Sequence, residues 1–442
     1  MPQWRELYDR FDPEEPAKQE VRAPRPHSPV AAISRRLDKH LTGDRILLVG
    51  TRGNGKTTEL LRLAETRSGS EFVVFLDLVR HFDEVVADMP ALEKVRAWEV
   101  CFLAGVAVWR AAEATLGHHW PPKLAQELAD VWQRARDASR DGGLDEHTGS
   151  KLDIGKLAQT MIIAASPAVG AVEVGLKLLH SALGDVKWSL PIGSGARPLP
   201  DQHGAMQALL ACVNQIIATV QTEYHRRVLL VIDGLDRVDD EHVRSLFVDS
   251  QLLARFDCPT VLCAPNLRHD MHAATLPRFR CEVLVNEPVL DHADPTRMGP
   301  GIGFFRAVFT QRVHGLDLGP GPADALLDRL AYFSGGQVRM FIKLVRGAAE
   351  AALLADAPAL AAGHVDAAIR EQRKLLEMGL HRGHTELLVQ VADDPRHRLP
   401  DSDRVWDLLA KLRLLPYPND SEWYYPHPLL TIQPGSPRGA SD

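Results

Sequence analysis

Short runs of continuous apolar residues recur along the chain: RILLV at 45–49, EFVVFLDL at 71–78, 229–232 inside RRVLLVIDG, TVLCA at 260–264, and 282–285. Runs of this length, separated by segments of helical periodicity, predict the strands of a parallel sheet covered on both faces. About 150 residues separate the second run from the third, too many for one crossover, so the pattern predicts an insertion there. It spans about 84–205 and begins helical, with Val95, Trp98, Phe102, Val106 and Trp109 on one face as core. Residues 138–156 are polar and 187–202 read as a Pro/Gly-rich linker, which leaves an apolar excursion docked between them. Beyond 290 the patterning is helical, at 322–333, 337–355 and 364–379. Then follow short helices at 385–392 and 405–415 and the β-prone run PYPNDSEWYYPHPLL, with a turn at Asn419-Asp420. Helix, helix and hairpin in that order is a winged-helix pattern, in which Trp423, Tyr424 and Tyr425 pack the wing.

These boundaries divide the chain into an N-terminal arm (1–40), a core (41–290), a helical region (291–379), a winged-helix-like region (380–432) and a disordered tail (433–442). Within the arm, APRPHSP at 23–29 is an extended segment leading into a helix at about 30–41.

Composition narrows the function. With 45% hydrophobic and 25% charged residues the 442-residue chain is globular rather than fibrous or disordered. A net charge of −7 gives the whole chain no electrostatic footprint for nucleic acid or an anionic membrane. The longest uncharged apolar stretch, 157–172, contains Ser166, Pro167 and Gly170 and falls short of the ~20 residues of a membrane span, so no membrane role is expected. The start, MPQWRELYDRFDPEEP, lacks a signal-peptide pattern, and the five scattered cysteines form no CxxC pair, so a cytoplasmic protein with reduced thiols is expected. Nineteen histidines form no metal motif, and no second enzymatic signature is present.

The chemistry is concentrated after the first strand, in Gly50-Thr51-Arg52-Gly53-Asn54-Gly55-Lys56-Thr57-Thr58 followed by ELLRLAE. This is the phosphate-binding loop pattern GxxGxGK[ST] between a strand and a helix. Its glycines let successive N–H groups face phosphate oxygens, and the helix adds its positive end. Lys56 is expected to reach the β- and γ-phosphates of ATP and Thr57 to ligate Mg²⁺. Magnesium also needs a carboxylate at the end of a neighbouring strand, and VLLVIDGLDR supplies Asp233. Asp236 either polarises the attacking water or caps the next helix beside Arg237.

Residues 50–57 and the strand 228–233 resemble the Walker A and Walker B motifs of AAA+ and STAND ATPases. Gly234 followed by Asp236 is similar to the NACHT and STAND form of Walker B. Most AAA+ enzymes carry a glutamate where Gly234 stands, which implies slow turnover. By the same resemblance, Asn266 in TVLCAPNLRH takes the place of the polar sensor, with Arg268 as its rival. Arg278 in LPRFRCEVLVNEP would be a trans-acting arginine finger, and Arg339 in SGGQVR the second sensor. The resemblance spans 41–430 and implies a three-layer α/β P-loop NTPase core with a parallel sheet, a helical lid and a winged helix. It implies ATP with Mg²⁺ as cofactors, and self-association or engagement of a separately encoded protein partner. The function so implied is an ATP-dependent switch and slow ATPase, of a kind used in bacterial signalling or antiphage defence. Two alternatives stand beside it: an initiator-like loader whose winged helix binds DNA, and a nucleotide-binding scaffold with little hydrolysis. Ten basic residues face eleven acidic ones from Arg370 to Asp442, which favours a protein contact over a DNA contact there.

Overall fold

In the computed structural model the apolar runs become β1 (Arg45–Val49) and β2 (Phe72–Asp77), then β5 (Val228–Asp233), β6 (Thr260–Ala264) and β7 (Arg280–Val283). Between these two groups stand β3 (Met161–Ala165) and β4 (Val172–Leu176), which the apolar pattern did not separate. The structure describes residues 2–39, 44–83, 89–138, 161–165, 172–176, 200–318, 321–418 and 422–431. The polar stretch expected at 138–156 lies outside the described residues except for Ala138, as do the Asn419-Asp420 turn, the tail at 433–442, and the linker as far as 199.

The chain forms two compact units. One comprises Pro29–Val49 and Glu59–Glu282, the other Met1–Ser28, Gly50–Thr58 and Val283–Asp442. The first holds nearly all of a seven-stranded sheet in the order β3-β4-β2-β5-β6-β1-β7. β1 pairs with β6, β6 with β5, β5 with β2 and β2 with β4, all parallel, while β3 runs antiparallel to β4. Strands β5 and β6 are buried throughout, as apolar runs covered on both faces should be. Within the excursion expected from sequence, the described strands β3 and β4 pair antiparallel, and β4 covers the edge of β2 that would otherwise be open. The aromatic stripe is core, as expected: Trp98 and Phe102 of helix Ala97–Leu116 meet Trp132 at ring separations of 5.0 and 4.2 Å. A helix that the apolar pattern did not single out, Pro200–Tyr224, takes in the last three residues assigned to the linker, because a proline fits the first helical turn, where its missing N–H is not needed.

In the other unit three helices match the helical runs expected at 322–333, 337–355 and 364–379: Asp324–Phe333, Val338–Leu354 and Ala362–Glu377. They share a core with Phe305 and Phe309 of helix Ile302–Arg312. The N-terminal arm is more structured than its composition suggests. Helix Pro2–Arg10 forms, and Trp4, Leu7 and Phe11 are buried in that same core. At the C-terminus, helices Arg382–Asp393 and Arg404–Ala410 precede an antiparallel pair, β8 (Leu414–Tyr417) and β9 (Trp423–Pro426). The second of these helices stops at 410 rather than 415, because Leu412 takes a left-handed φ of 58° that turns the chain into β8. Trp423 is buried and stacks on Tyr417 at 4.8 Å. Among the described residues no helix is long and apolar enough to cross a membrane.

Candidate nucleotide-binding site

The loop at 50–55 continues directly from β1, and helix Lys56–Arg67 follows it. Gly53 and Gly55 have φ of 81° and 90°, a region that L side chains avoid, so the path of the loop at these two positions depends on glycine. Lys56 is 3% exposed, and its Nζ donates to the carbonyls of Gly50 and Thr51, both at 2.8 Å. Its ammonium therefore sits inside the loop's concavity and meets oxygen acceptors there. Thr57 and Thr58 are half-buried and Arg52 is exposed.

Much of the loop is held by side chains that the motif does not name. Arg25, from the proline-flanked part of the arm, donates NH1 to the Asn54 carbonyl at 2.7 Å and NH2 to Asn54 Oδ1 at 2.9 Å. Its Nε pairs with buried Glu287 at 2.8 Å, and NH2 also reaches the Val285 carbonyl at 2.9 Å. Asn54 Nδ2 donates to the Leu284 carbonyl at 2.7 Å, and Thr51 Oγ1 to Asn286 Oδ1 at 2.7 Å. These bonds account for the fifth strand ending early. It was expected at 282–285 but runs 280–283, and the carbonyls of Leu284 and Val285 accept from Asn54 and Arg25 instead. Arg25 was missed in the sequence; its only local signal was a cation locked between two prolines in an extended arm.

Arg339 lies at the start of helix Val338–Leu354, and its backbone N–H donates to the Gly53 carbonyl at 2.9 Å. The helix N-terminus therefore abuts the loop, where its dipole favours an anion. The Arg339 guanidinium is engaged by the arm, with Nε on the Pro13 carbonyl at 3.0 Å and NH2 3.5 Å from Glu14.

The second group of residues belongs to the sheet. Because β1, β6 and β5 are parallel, Val49, Ala264 and Asp233 all end at one edge. Asp233 is 2% exposed and Asp236 half-buried, and their carboxylate oxygens and the Cys263 sulfur all lie within 4.8 Å of one another. Cys263 was also missed, since only the β5–β6 register, which pairs Ile232 with Leu262, sets it beside Asp233. On the other side, Asp77 stands in register with Asp233. Burial raises the Asp77 carboxyl above its usual range, against the Arg80 N–H bond and charge and the Arg237 charge. Asn266 is half-buried just past β6, and Arg268 precedes the helix His269–Thr275 without a side-chain cap bond, its Nε 3.7 Å from the Asp270 carboxylate. Arg278 is half-buried, and NH1 donates to the carbonyls of Val248 and, at 3.3 Å, Ser250.

Gly234 has φ of 94°, and a Cβ there would lie 3.0 Å from both the backbone nitrogen and Cγ2 of Val79. Backbone conformation and space both disfavour a glutamate. Gly234→Glu should therefore lower stability by about 2–5 kcal/mol, from left-handed strain plus overpacking, without raising hydrolysis. A chemical-denaturation curve together with a phosphate-release assay checks it; a stable variant with faster turnover would contradict it.

The residues fit the expected ligands. A buried ammonium and a helix start suit phosphates, and in the other unit the carboxylate pair Asp233 and Asp236 suits a hard cation such as Mg²⁺. No family model and no curated protein matches the chain. Among solved structures the chain is similar to Cdc6p from Pyrobaculum aerophilum, at 13% identity and TM-score 0.39, covering 95% of this chain and 94% of that one. It is similar to the Aeropyrum pernix ORC2 protein at 11% identity and TM-score 0.43, covering 96% and 94%. It is also similar to Drosophila ORC bound to DNA, at 10% identity and TM-score 0.40, covering 96% and 89%. Likenesses this remote say nothing of what the chain binds.

Proposed function

We propose that the chain is an ATP- and Mg²⁺-dependent switch with slow hydrolysis, which couples nucleotide state to self-association or to a protein partner. The observation that carries this reading is the Lys56 ammonium, buried within a glycine loop and already bound by two oxygen acceptors. In the bound state Lys56 exchanges the Gly50 and Thr51 carbonyls for phosphate oxygens, and Thr57 and Asp233 hold Mg²⁺, which neutralises phosphate charge. Asp236 orients the water, with Asn266 beside it as the polar sensor. No glutamate stands at position 234 to act as a strong base, which keeps turnover slow. Arg339 leaves Pro13 and Glu14 for the γ-phosphate, so occupancy is sensed by the arm and the helical lid together. Such a switch suits bacterial signalling or antiphage defence.

The separating experiment is phosphate release by Asp233→Asn and Asp236→Asn. Asp233→Asn should lose Mg²⁺-dependent hydrolysis, and Asp236→Asn should bind ATP normally but hydrolyse it at least tenfold more slowly. Parental rates in both variants would refute these roles.

The winged-helix-like region is proposed to contact protein. Arg382, Arg398 and Lys411 each pair with an acid one helical turn or four residues away, and Arg373 and Arg413 donate to main-chain carbonyls. If this region contacts protein rather than DNA, salt-dependent DNA binding should be absent.

Self-association is proposed to use Arg278, which would exchange the carbonyls of Val248 and Ser250 for the γ-phosphate of a neighbouring copy. An arginine supplied in trans is worth ~10³–10⁵ in rate. Arg278→Ala should then bind ATP without hydrolysing it, and mixing it with Lys56→Ala should restore some activity. Flat specific activity across protein concentration, with no rescue on mixing, would assign Arg278 a purely local role.

A further inference from the structure

Magnesium uses oxygen ligands, yet the ligand set at the end of β5 and β6 contains a thiol. The Cys263 sulfur and the carboxylates of Asp233 and Asp236 come within 4.8 Å of one another, a spacing from which three ligand atoms can face one small cation. Cys263 is fully buried and Asp233 nearly so, and both sit on paired strands whose register fixes them side by side. Asp236 follows on the short 3-10 turn Leu235–Arg237, which brings the second carboxylate back toward the first. Hard Mg²⁺ gains nothing from sulfur, whereas Zn²⁺, Co²⁺ and Cd²⁺ bind thiolate strongly, and one sulfur with two carboxylate oxygens leaves a fourth tetrahedral position open.

We propose that Asp233, Asp236 and Cys263 form a binding site for a thiophilic divalent cation of the Zn²⁺ class. On binding, the Cys263 S–H proton leaves to water as the metal–sulfur bond forms, so the ion meets one thiolate and two carboxylates. As far as this bears on regulation it rests on the nucleotide reading above: an ion held by sulfur occupies the carboxylates that Mg²⁺ needs, and hydrolysis stops while ATP still binds the loop. Sequence spacing does not reveal the site, because its sulfur and its carboxylates come from different strands.

The test uses Co²⁺ and the full chain with no nucleotide, so that it stands apart from the nucleotide reading. Adding cobalt chloride to the reduced protein should produce a thiolate-to-Co²⁺ charge-transfer band in the near ultraviolet and tetrahedral d–d bands in the visible. Both should saturate at one ion per chain. The bands should be lost in Cys263→Ser and weakened in Asp236→Asn. They should persist in Cys281→Ser, because half-buried Cys281 has no part in the site. Bound ion should also raise Tm of the parental protein by mass action. The proposal is overturned if the parental chain, shown folded by its melting transition, gives no charge-transfer band. It is equally overturned if the band survives in Cys263→Ser or disappears in Cys281→Ser. If the bands appear as expected but calorimetry finds no ATP binding, the metal site stands and the nucleotide reading falls.

Discussion

Lys56→Ala should leave a folded protein with no measurable ATP binding. Lys56 is the single lysine of the 50–58 loop, it is buried, and its three N–H donors already find two carbonyls at 2.8 Å. Hydrogen bonds from a charged donor contribute roughly 1.5–3 kcal/mol each, so losing two to phosphate weakens binding by more than about a hundredfold. Alanine is the best helix former at the first residue of helix Lys56–Arg67, so the loop's exit is preserved. Lys56→Arg should fail as well, because a planar guanidinium does not fit a cradle built around a compact ammonium. Calorimetric titration of each variant with ATP reads this directly, and unchanged affinity in a folded Lys56→Ala would end the phosphate-loop account.

Arg25→Ala should be costly in two separable ways. The first is stability. Glu287 is 1% exposed and would lose its cation, and removing one partner of a buried ion pair costs about 3–5 kcal/mol. The second is nucleotide affinity, because the same guanidinium holds both the carbonyl and the side-chain oxygen of Asn54 between the two left-handed glycines. The pair Arg25→Met with Glu287→Leu separates the two. It removes both charges while keeping apolar volume, so Tm should recover most of its loss. Asn54 would still lack its donors, so ATP affinity should stay at least tenfold below the parental value. Affinity that recovers along with Tm would mean that Arg25 is a purely structural cation.

What the sequence made legible was local. The apolar runs gave five of the seven strands of the sheet to within two residues, and the glycine spacing with Lys56 gave the loop, because those patterns lie within a few positions of one another. Contacts set by register between distant strands were not legible. Cys263 lies 30 positions from Asp233, and only the β5–β6 pairing brings it near. Arg25 lies 29 positions from Asn54 and 262 from Glu287, and nothing in the arm's composition announces either contact. The antiparallel pair β3 and β4 was hidden for a related reason. An apolar stretch interrupted by Ser166, Pro167 and Gly170 reads as an irregular excursion until the open edge of β2 is there to pair with it. Helix Pro2–Arg10 and the residue after it carry Trp4, Leu7 and Phe11 in a polar, proline-rich arm, and their burial becomes visible only against the helices beyond 302.

The loop account is tested most directly by titrating the full chain with ATP in the presence and absence of Mg²⁺, in a calorimeter, with Lys56→Ala run alongside. The geometry of Gly53, Gly55 and Lys56 predicts saturable binding of one ATP per chain, tightened by Mg²⁺ and absent from the variant. A folded parental chain that takes up no ATP, or binds it equally well without Lys56, would contradict it.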